Sequence, residues 1–155
     1  MIRLEKISYS YSSDIKVFKD VDLEINNGEK IVVIGANGSG KSTLLHIIGA
    51  LKYPQSGKYY YKGKLIDSKT IKEKDIHYLI RSEIGYLFQN PDTQLFCTNV
   101  FEELAFAPRQ LGLSKEECDY RVNSIMEFFK IAHLKERSTY LLSGGEKKRL
   151  LLPPY

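Results

Sequence analysis

The chain is poor in cysteine and has no long apolar run. Its 155 residues include only Cys97 and Cys118, which have neither metal-type nor redox-type spacing and no nearby histidine. They read as reduced thiols in a cytosolic protein, in preference to a disulfide. No apolar stretch approaches the ~18 residues needed to span a bilayer. The opening "MIRLEKISYSY" lacks the apolar core of a signal peptide. There are no internal repeats, low-complexity tracts or sustained heptads. Excess charge is also scarce: the net charge of +4 is mild and its basic residues are dispersed. With no basic face, nucleic acid is not an expected partner.

What is present is ordinary for one soluble domain with a modest core: 43% hydrophobic and 27% charged residues. "MIRLEKI" and "KVFKDVDLEI" place Ile2, Leu4, Val17, Val21, Leu23 and Ile25 among polar neighbours, as half-buried strands do, with "NNGE" as a turn. Within "KIVVIG", 30–35, Ile31 to Ile34 form an unbroken β-branched run, which predicts a strand covered on both faces in a parallel sheet. A helix is expected from about Ser42 to Ala50, and a hairpin turning at Lys62-Gly63. "IGYLFQ", 84–89, is a second buried-strand candidate. From Thr98 the pattern turns helical, with Val100, Leu104 and Ala107 on one face and Pro108 expected to kink or end the helix. Ser114 and Glu117 form a capping box ahead of a core stripe of Cys118, Val122, Ile125, Met126 and Phe129.

"GANGSGKS", Gly35 to Ser42, satisfies G-x-x-x-x-G-K-[ST] in full, between a predicted strand and a predicted helix. Gly35, Gly38 and Gly40 permit a backbone path that turns successive N–H groups inward as an anion nest, and the helix start adds partial positive charge. Lys41 is placed to reach β- and γ-phosphates and Ser42 to ligate Mg²⁺. Nucleoside triphosphate binding follows, with Gly35, Ala36, Asn37, Gly38, Ser39, Gly40, Lys41, Ser42 and Thr43 as the candidate binding residues.

Two further stretches narrow the class. "YLFQNPDTQLF" puts Gln89 just past the second strand candidate, and "LSGGE" runs from Leu142 to Glu146. With Tyr11 ahead of the first long strand, these resemble the A-loop, Walker A, Q-loop and signature motifs of ATP-binding-cassette (ABC) ATPases. "FQNPDTQLF", "EELAFAPRQLGLS" and "LSGGEKKR" are similar to the ATP-binding subunits of cobalt, nickel and vitamin importers of the energy-coupling-factor type. The resemblance covers essentially residues 1–150.

It implies an α/β P-loop NTPase cassette with an antiparallel β subdomain, a partial RecA-like parallel-sheet core and a helical subdomain. The single incomplete domain is expected to divide into an antiparallel part at 1–30 and 57–67, a P-loop core at 31–56 and 83–97, a helical subdomain at 98–142, and the signature helix and tail at 143–155. ATP and Mg²⁺ are the implied ligands, with hydrolysis as the family activity.

Tyr11 would stack on adenine, with Tyr9 competing for that role. Gln89, a neutral amide, would act with Lys41 in catalysis and with Ser42 around Mg²⁺, holding metal-bound and attacking water. Ser143-Gly-Gly-Glu146 is in form a capping box. Its glycines also leave the first N–H groups unshielded, and the family uses Ser143, Gly144 and Gly145 to hold the γ-phosphate on a second ATPase subunit. A transmembrane coupling protein would dock near Gln94–Glu103, where Leu95, Phe96 and Phe101 either face that partner or serve the core. The implied location is cytoplasmic, peripheral to the inner face of the cell membrane.

The resemblance also leads one to expect, after the signature, a strand of four apolar residues ending Asp-Glu and then a switch histidine. "LLLPPY" supplies no acidic residue, and His46, His77 and His133 all precede the signature. The C-terminal part of the core is therefore expected to be missing. Mg·ATP binding with poor hydrolysis is expected, and so is an unpaired, apolar sheet edge along Ile31–Ile34. A truncated ATPase subunit and a degenerate cassette pairing with an intact one both fit that pattern. Chromosome-maintenance ATPases would insert coiled coils between the P-loop and the signature, and none is present.

Overall fold

The computed structural model of the chain describes residues 1–13 and 15–152. It divides into two compact units, Met1–Ile84 and the remainder from Gly85 onward.

The alternating N-terminal segments form strands β1 (Ile2–Ser10) and β2 (Lys16–Ile25), paired antiparallel with Ile2 opposite Ile25 and Leu4 opposite Leu23. Helix α1 (Lys41–Ile48) follows the glycine-rich loop. Strands β3 (Ser56–Tyr61) and β4 (Lys64–Leu65) make the expected hairpin. Its turn residues Lys62 and Gly63 lie at φ 48° and 77°, the doubly left-handed geometry that matches strand twist in a two-residue turn. The sheet order is β2-β1-β3-β4. Helix α2 (Lys74–Glu83) closes the unit.

Leu4 and Ile7 from β1, Tyr59 from β3, Ile47 from α1 and Ile76 and Ile80 from α2 are buried together. An irregularity at Lys6 (φ 48°) shifts the alternation on β1, so that Leu4 and Ile7, three apart, both face the core that i, i+4 residues on α2 also reach. Tyr59 donates its hydroxyl to the Ile48 carbonyl at 2.7 Å, and burial pushes its pKa upward.

The β-branched run at 30–35 does not form a strand: Ile31, Val32 and Ile34 are exposed at 45%, 80% and 89%. Nor does 84–89, which has no assigned strand. The apolar character fits a doubly covered strand, but extended backbone becomes a strand only when a neighbour completes its hydrogen-bond ladder. Neither segment belongs to the sheet β2-β1-β3-β4.

The second unit is helical. Helices α3 (Val100–Gln110), α4 (Lys115–Phe128) and α5 (Gly144–Leu151) bury Val100, Ala105, Cys118, Val122, Met126 and Leu150 with Leu95, Ile131, Leu134 and Leu142. Of the predicted stripe on and just after α4, Cys118, Val122 and Met126 are buried and Phe129 packs against them, whereas Ile125 is only half-buried. On α3 the buried positions are Val100 and Ala105, with Leu104 packed against them. Ala107 faces solvent. Pro108 does not end α3, which continues to Gln110. Near a helix C-terminus a missing N–H costs only one ladder bond. Pro153-Pro154, read from sequence as the stop of the last helix, lies outside the described residues.

No helix among the described residues is long and apolar enough to cross a membrane.

Candidate functional site

In the first unit the site is the loop Gly35–Gly40 and the start of α1. Gly40 is the residue before the helix, at φ 92°. A Cβ there would stand 2.6 Å from Val17 Cγ1, so both its conformation and its contact with β2 require glycine. It can therefore offer no capping side chain, and α1 has neither a side-chain cap nor an acidic residue in its first turn. The first N–H groups of α1 keep no intrahelical partner. Lys41 Nζ folds across the loop and donates to the carbonyls of Gly35 at 2.9 Å and Ala36 at 2.7 Å. An uncapped helix start, a lysine ammonium held over the loop and the exposed Ser42 hydroxyl beside them form a donor set suited to a polyphosphate and, through Ser42, to a hard divalent cation.

The two aromatic candidates from the sequence, Tyr9 and Tyr11, differ in exposure. Tyr9 is partly buried and packs against the core of the first unit. Tyr11 is 56% exposed. Its ring meets the edge of Tyr9 at a centroid distance of 5.3 Å, and its hydroxyl lies 3.0 Å from Thr43 Oγ1 on α1. Lys52 Nζ stands 5.0 Å from the Tyr11 ring centroid. Tyr11 is thus the residue of the two with the more exposed ring, and its hydroxyl contacts the start of α1.

The second unit carries Gln89 and the "LSGGE" segment. Gln89 is exposed on a bend ahead of a short 3₁₀ turn, Pro91–Thr93. Asn90 caps that turn by accepting from Asp92 N at 3.0 Å, the Asx geometry favoured by Asn-Pro. At α5, Ser143 and Glu146 form the complete capping box. Ser143 N donates to Glu146 Oε2 at 2.7 Å, and Glu146 N donates to Ser143 Oγ at 3.4 Å. Hydrogen bonds from the Ser143 hydroxyl and backbone N–H hold the Glu146 carboxyl below its ordinary range. A Cβ added at Gly144 or Gly145 would meet nothing within 4 Å, so this helix start is open to approach.

Several organising residues had no prominence in the sequence. Gln94 accepts from Phe88 N at 2.8 Å and donates to the Tyr86 carbonyl at 3.1 Å, fixing the loop that carries Gln89. Lys147, on α5, donates to Asp92 Oδ1 at 2.6 Å and ties that loop to the signature helix. Glu103 accepts from the N–H groups of Phe96 and Cys97. The Cys97 thiol is pushed up by burial and then by the Glu103 charge. A glutamine, lysine or glutamate of this kind gives no periodic signal. Only the fold brings each to its partner.

The segment read as a docking surface divides. Leu95 is buried in the second core and Phe101 packs against it, so both serve the interior. Phe96 is 59% exposed and stacks edge-on with Phe106 at 4.7 Å.

With this geometry established, comparison with known proteins gives a consistent result. Residues 18–153 match the family model described as ABC transporter. The chain is 45% identical over 152 residues to a putative ABC transporter ATP-binding protein of Methanosarcina acetivorans, covering 96% of this chain and 55% of that protein. It is 43% identical over 152 residues to the nickel import ATP-binding protein LarO of Lactiplantibacillus plantarum, with coverage of 98% and 63%. It is 40% identical over 153 residues to the energy-coupling factor transporter ATP-binding protein EcfA of Methanothermobacter thermautotrophicus, with coverage of 98% and 48%. Among solved structures, cbiO1 from Clostridium perfringens, part of the ABC transporter complex cbiONQ, superposes with a TM-score of 0.82 at 34% identity, over 98% of this chain and 59% of that one. The chain thus spans between about half and under two thirds of the length of these relatives. Its fold is that of an α/β cassette, and the chain belongs to the ABC transporter family of ATP-binding domains.

Proposed function

We propose that the chain is the ATP-binding part of an ABC importer of the energy-coupling-factor type, carrying a metal ion such as nickel or cobalt, or a vitamin. The observation that carries the reading is the start of α1: an uncapped helix end behind a left-handed glycine, with Lys41 folded over the loop. The names of LarO and EcfA support the importer class.

In this reading Gly35–Thr43 cradle the phosphates, with Lys41 on the β- and γ-phosphates and Ser42 on Mg²⁺. Tyr11 carries the adenine on its exposed face. Gln89 holds the water that attacks the γ-phosphate and contributes to the metal's water shell. Ser143, Gly144 and Gly145 receive the γ-phosphate held by a second cassette, so that ATP joins two subunits head to tail. Phe96, with Phe106 behind it, supplies the apolar contact for a transmembrane coupling protein near Gln94–Glu103. In the cell the chain works at the cytoplasmic face of the membrane.

The test is calorimetric titration of the chain with Mg·ATP, with phosphate release followed in parallel. Saturable binding lost in Lys41→Ala supports the reading, and absence of binding in the parent chain sinks it. The 155 residues hold no acidic residue after Glu146, so binding with little turnover is the expected outcome. Turnover equal to that of a full-length relative would show that the attacking water is activated from within these residues.

A further inference from the structure

Tyr11 immediately follows the last residue of β1, and its N–H donates to the Ile15 carbonyl at 3.0 Å, just ahead of β2. An aromatic ring on such a connection would ordinarily sweep a wide arc. Here it is held at three points. The Tyr9 ring meets it edge-on at 87°. Lys52 Nζ stands over it at 5.0 Å. Its hydroxyl bonds Thr43 Oγ1 across 32 residues of sequence, at 3.0 Å. The preceding residue is fixed too: Ser10 donates to and accepts from the Gln55 amide at 2.9 and 3.0 Å.

The partner is what gives the hydroxyl contact its meaning. Thr43 is in the first turn of α1, directly behind Lys41 and Ser42, and is only 5% exposed. Its backbone is part of the phosphate cradle. A phenol is the stronger donor and an aliphatic hydroxyl the stronger acceptor, so the pair is best satisfied as Tyr11 O–H to Thr43 Oγ1. That direction leaves the Thr43 proton free to point elsewhere, toward the loop, and polarises it for doing so.

Building on the nucleotide reading above, we propose that the Tyr11 hydroxyl is a positioning group. By bonding Thr43 Oγ1 it sets the base platform at one distance from the phosphate loop, so that base and phosphates are recognised as a single rigid ligand. Stacking alone needs only the ring. The hydroxyl adds pre-organisation, removing the cost of ordering the turn when the base arrives.

The distinction is testable because Tyr11→Phe keeps the ring and removes only the bond. Calorimetric titrations would compare Mg·ATP with inorganic triphosphate, in the parent chain, Tyr11→Phe, Thr43→Val, Thr43→Ser and the two doubles carrying Tyr11→Phe. Tyr11→Phe is expected to weaken Mg·ATP about fivefold, the worth of one neutral hydrogen bond, and to leave triphosphate unchanged. The same change should cost nothing further in the Thr43→Val background and the full factor in the Thr43→Ser background. Equal losses in all three backgrounds, no loss in the parent, or a matching loss for triphosphate would each overturn the proposal. A parent chain that binds neither probe would instead refute the nucleotide reading itself, which a flat or additive cycle would not.

Discussion

Helices α1 and α5 both open beside glycines, at Gly40-Lys41 and at Gly144-Gly145, and yet they open in opposite states. Gly40 is fixed at φ 92° against Val17, offers no cap, and is followed by Lys41 with no acid in the first turn. Ser143 lies in the extended region and caps α5 fully, with Glu146 closing the box. The first end is left bare and has a cation placed over it. At the second, the box engages the N–H groups of Ser143 and Glu146 and leaves the approach to Gly144 and Gly145 open. A glycine-rich helix start is therefore not one kind of site. Its readiness for an anion depends on what the neighbouring side chains have already done with the free N–H groups.

The largest effect should come from forcing a side chain onto the bare end. Gly40→Ala meets Val17 Cγ1 at 2.6 Å and carries a left-handed φ, and should cost about 2–4 kcal/mol in urea unfolding. A loss below about 0.5 kcal/mol would show that the loop can relax around it. Lys41→Ala should weaken Mg·ATP ~10–100-fold, the range for a charge-assisted hydrogen bond, while Lys41→Arg tests whether a flexible point charge is needed. On the capped end, Ser143→Ala should cost about 1 kcal/mol and speed amide exchange in the first turn of α5. Unchanged exchange there would mean that Glu146 alone holds the end. Lys147→Met should loosen residues 88–94 in hydrogen exchange by at most ~1 kcal/mol, since Asp92 is largely exposed.

The smallest effect is in pH. The Glu146 carboxyl is held lower folded than its ordinary value of 4.5, so its contribution is complete above that value. It declines as pH falls from there through the lowered folded value. Fraying of α5 on acidification, followed by NMR and abolished in Glu146→Gln, is the check.

The same comparison shows how far sequence reading reaches. "GANGSGKS" carries its own local physics: glycines fix the backbone path and the next residues start a helix, so no distant partner is needed to recognise it. The capping boxes at Ser114 and Ser143 are legible for the same reason, since both partners lie within three residues. Tyr11 could be put ahead of Tyr9 from the sequence, but the difference in their exposure could not be read there. Ile31–Ile34 reads as a strand with two covered faces and an unpaired edge; it is exposed and forms no strand, because an apolar run records a preference for cover and only another segment can supply it. Ala107 was assigned to the wrong face of α3, where Ala105 is the buried residue, because alanine is too small to mark a stripe.

By itself the sequence determined the family, the glycine-rich loop ahead of α1, the hairpin turn at Lys62-Gly63 and the helix starts. All of these rest on interactions between residues a few positions apart. Only the tertiary structure decided that Tyr11 bonds Thr43, that Gln94 and Asp92 organise the loop behind Gln89, and that Leu95 belongs to a core while Phe96 does not. Each of these joins segments whose separation in sequence bears no relation to their separation in space. Burial and hydrogen bonding are settled by that second distance.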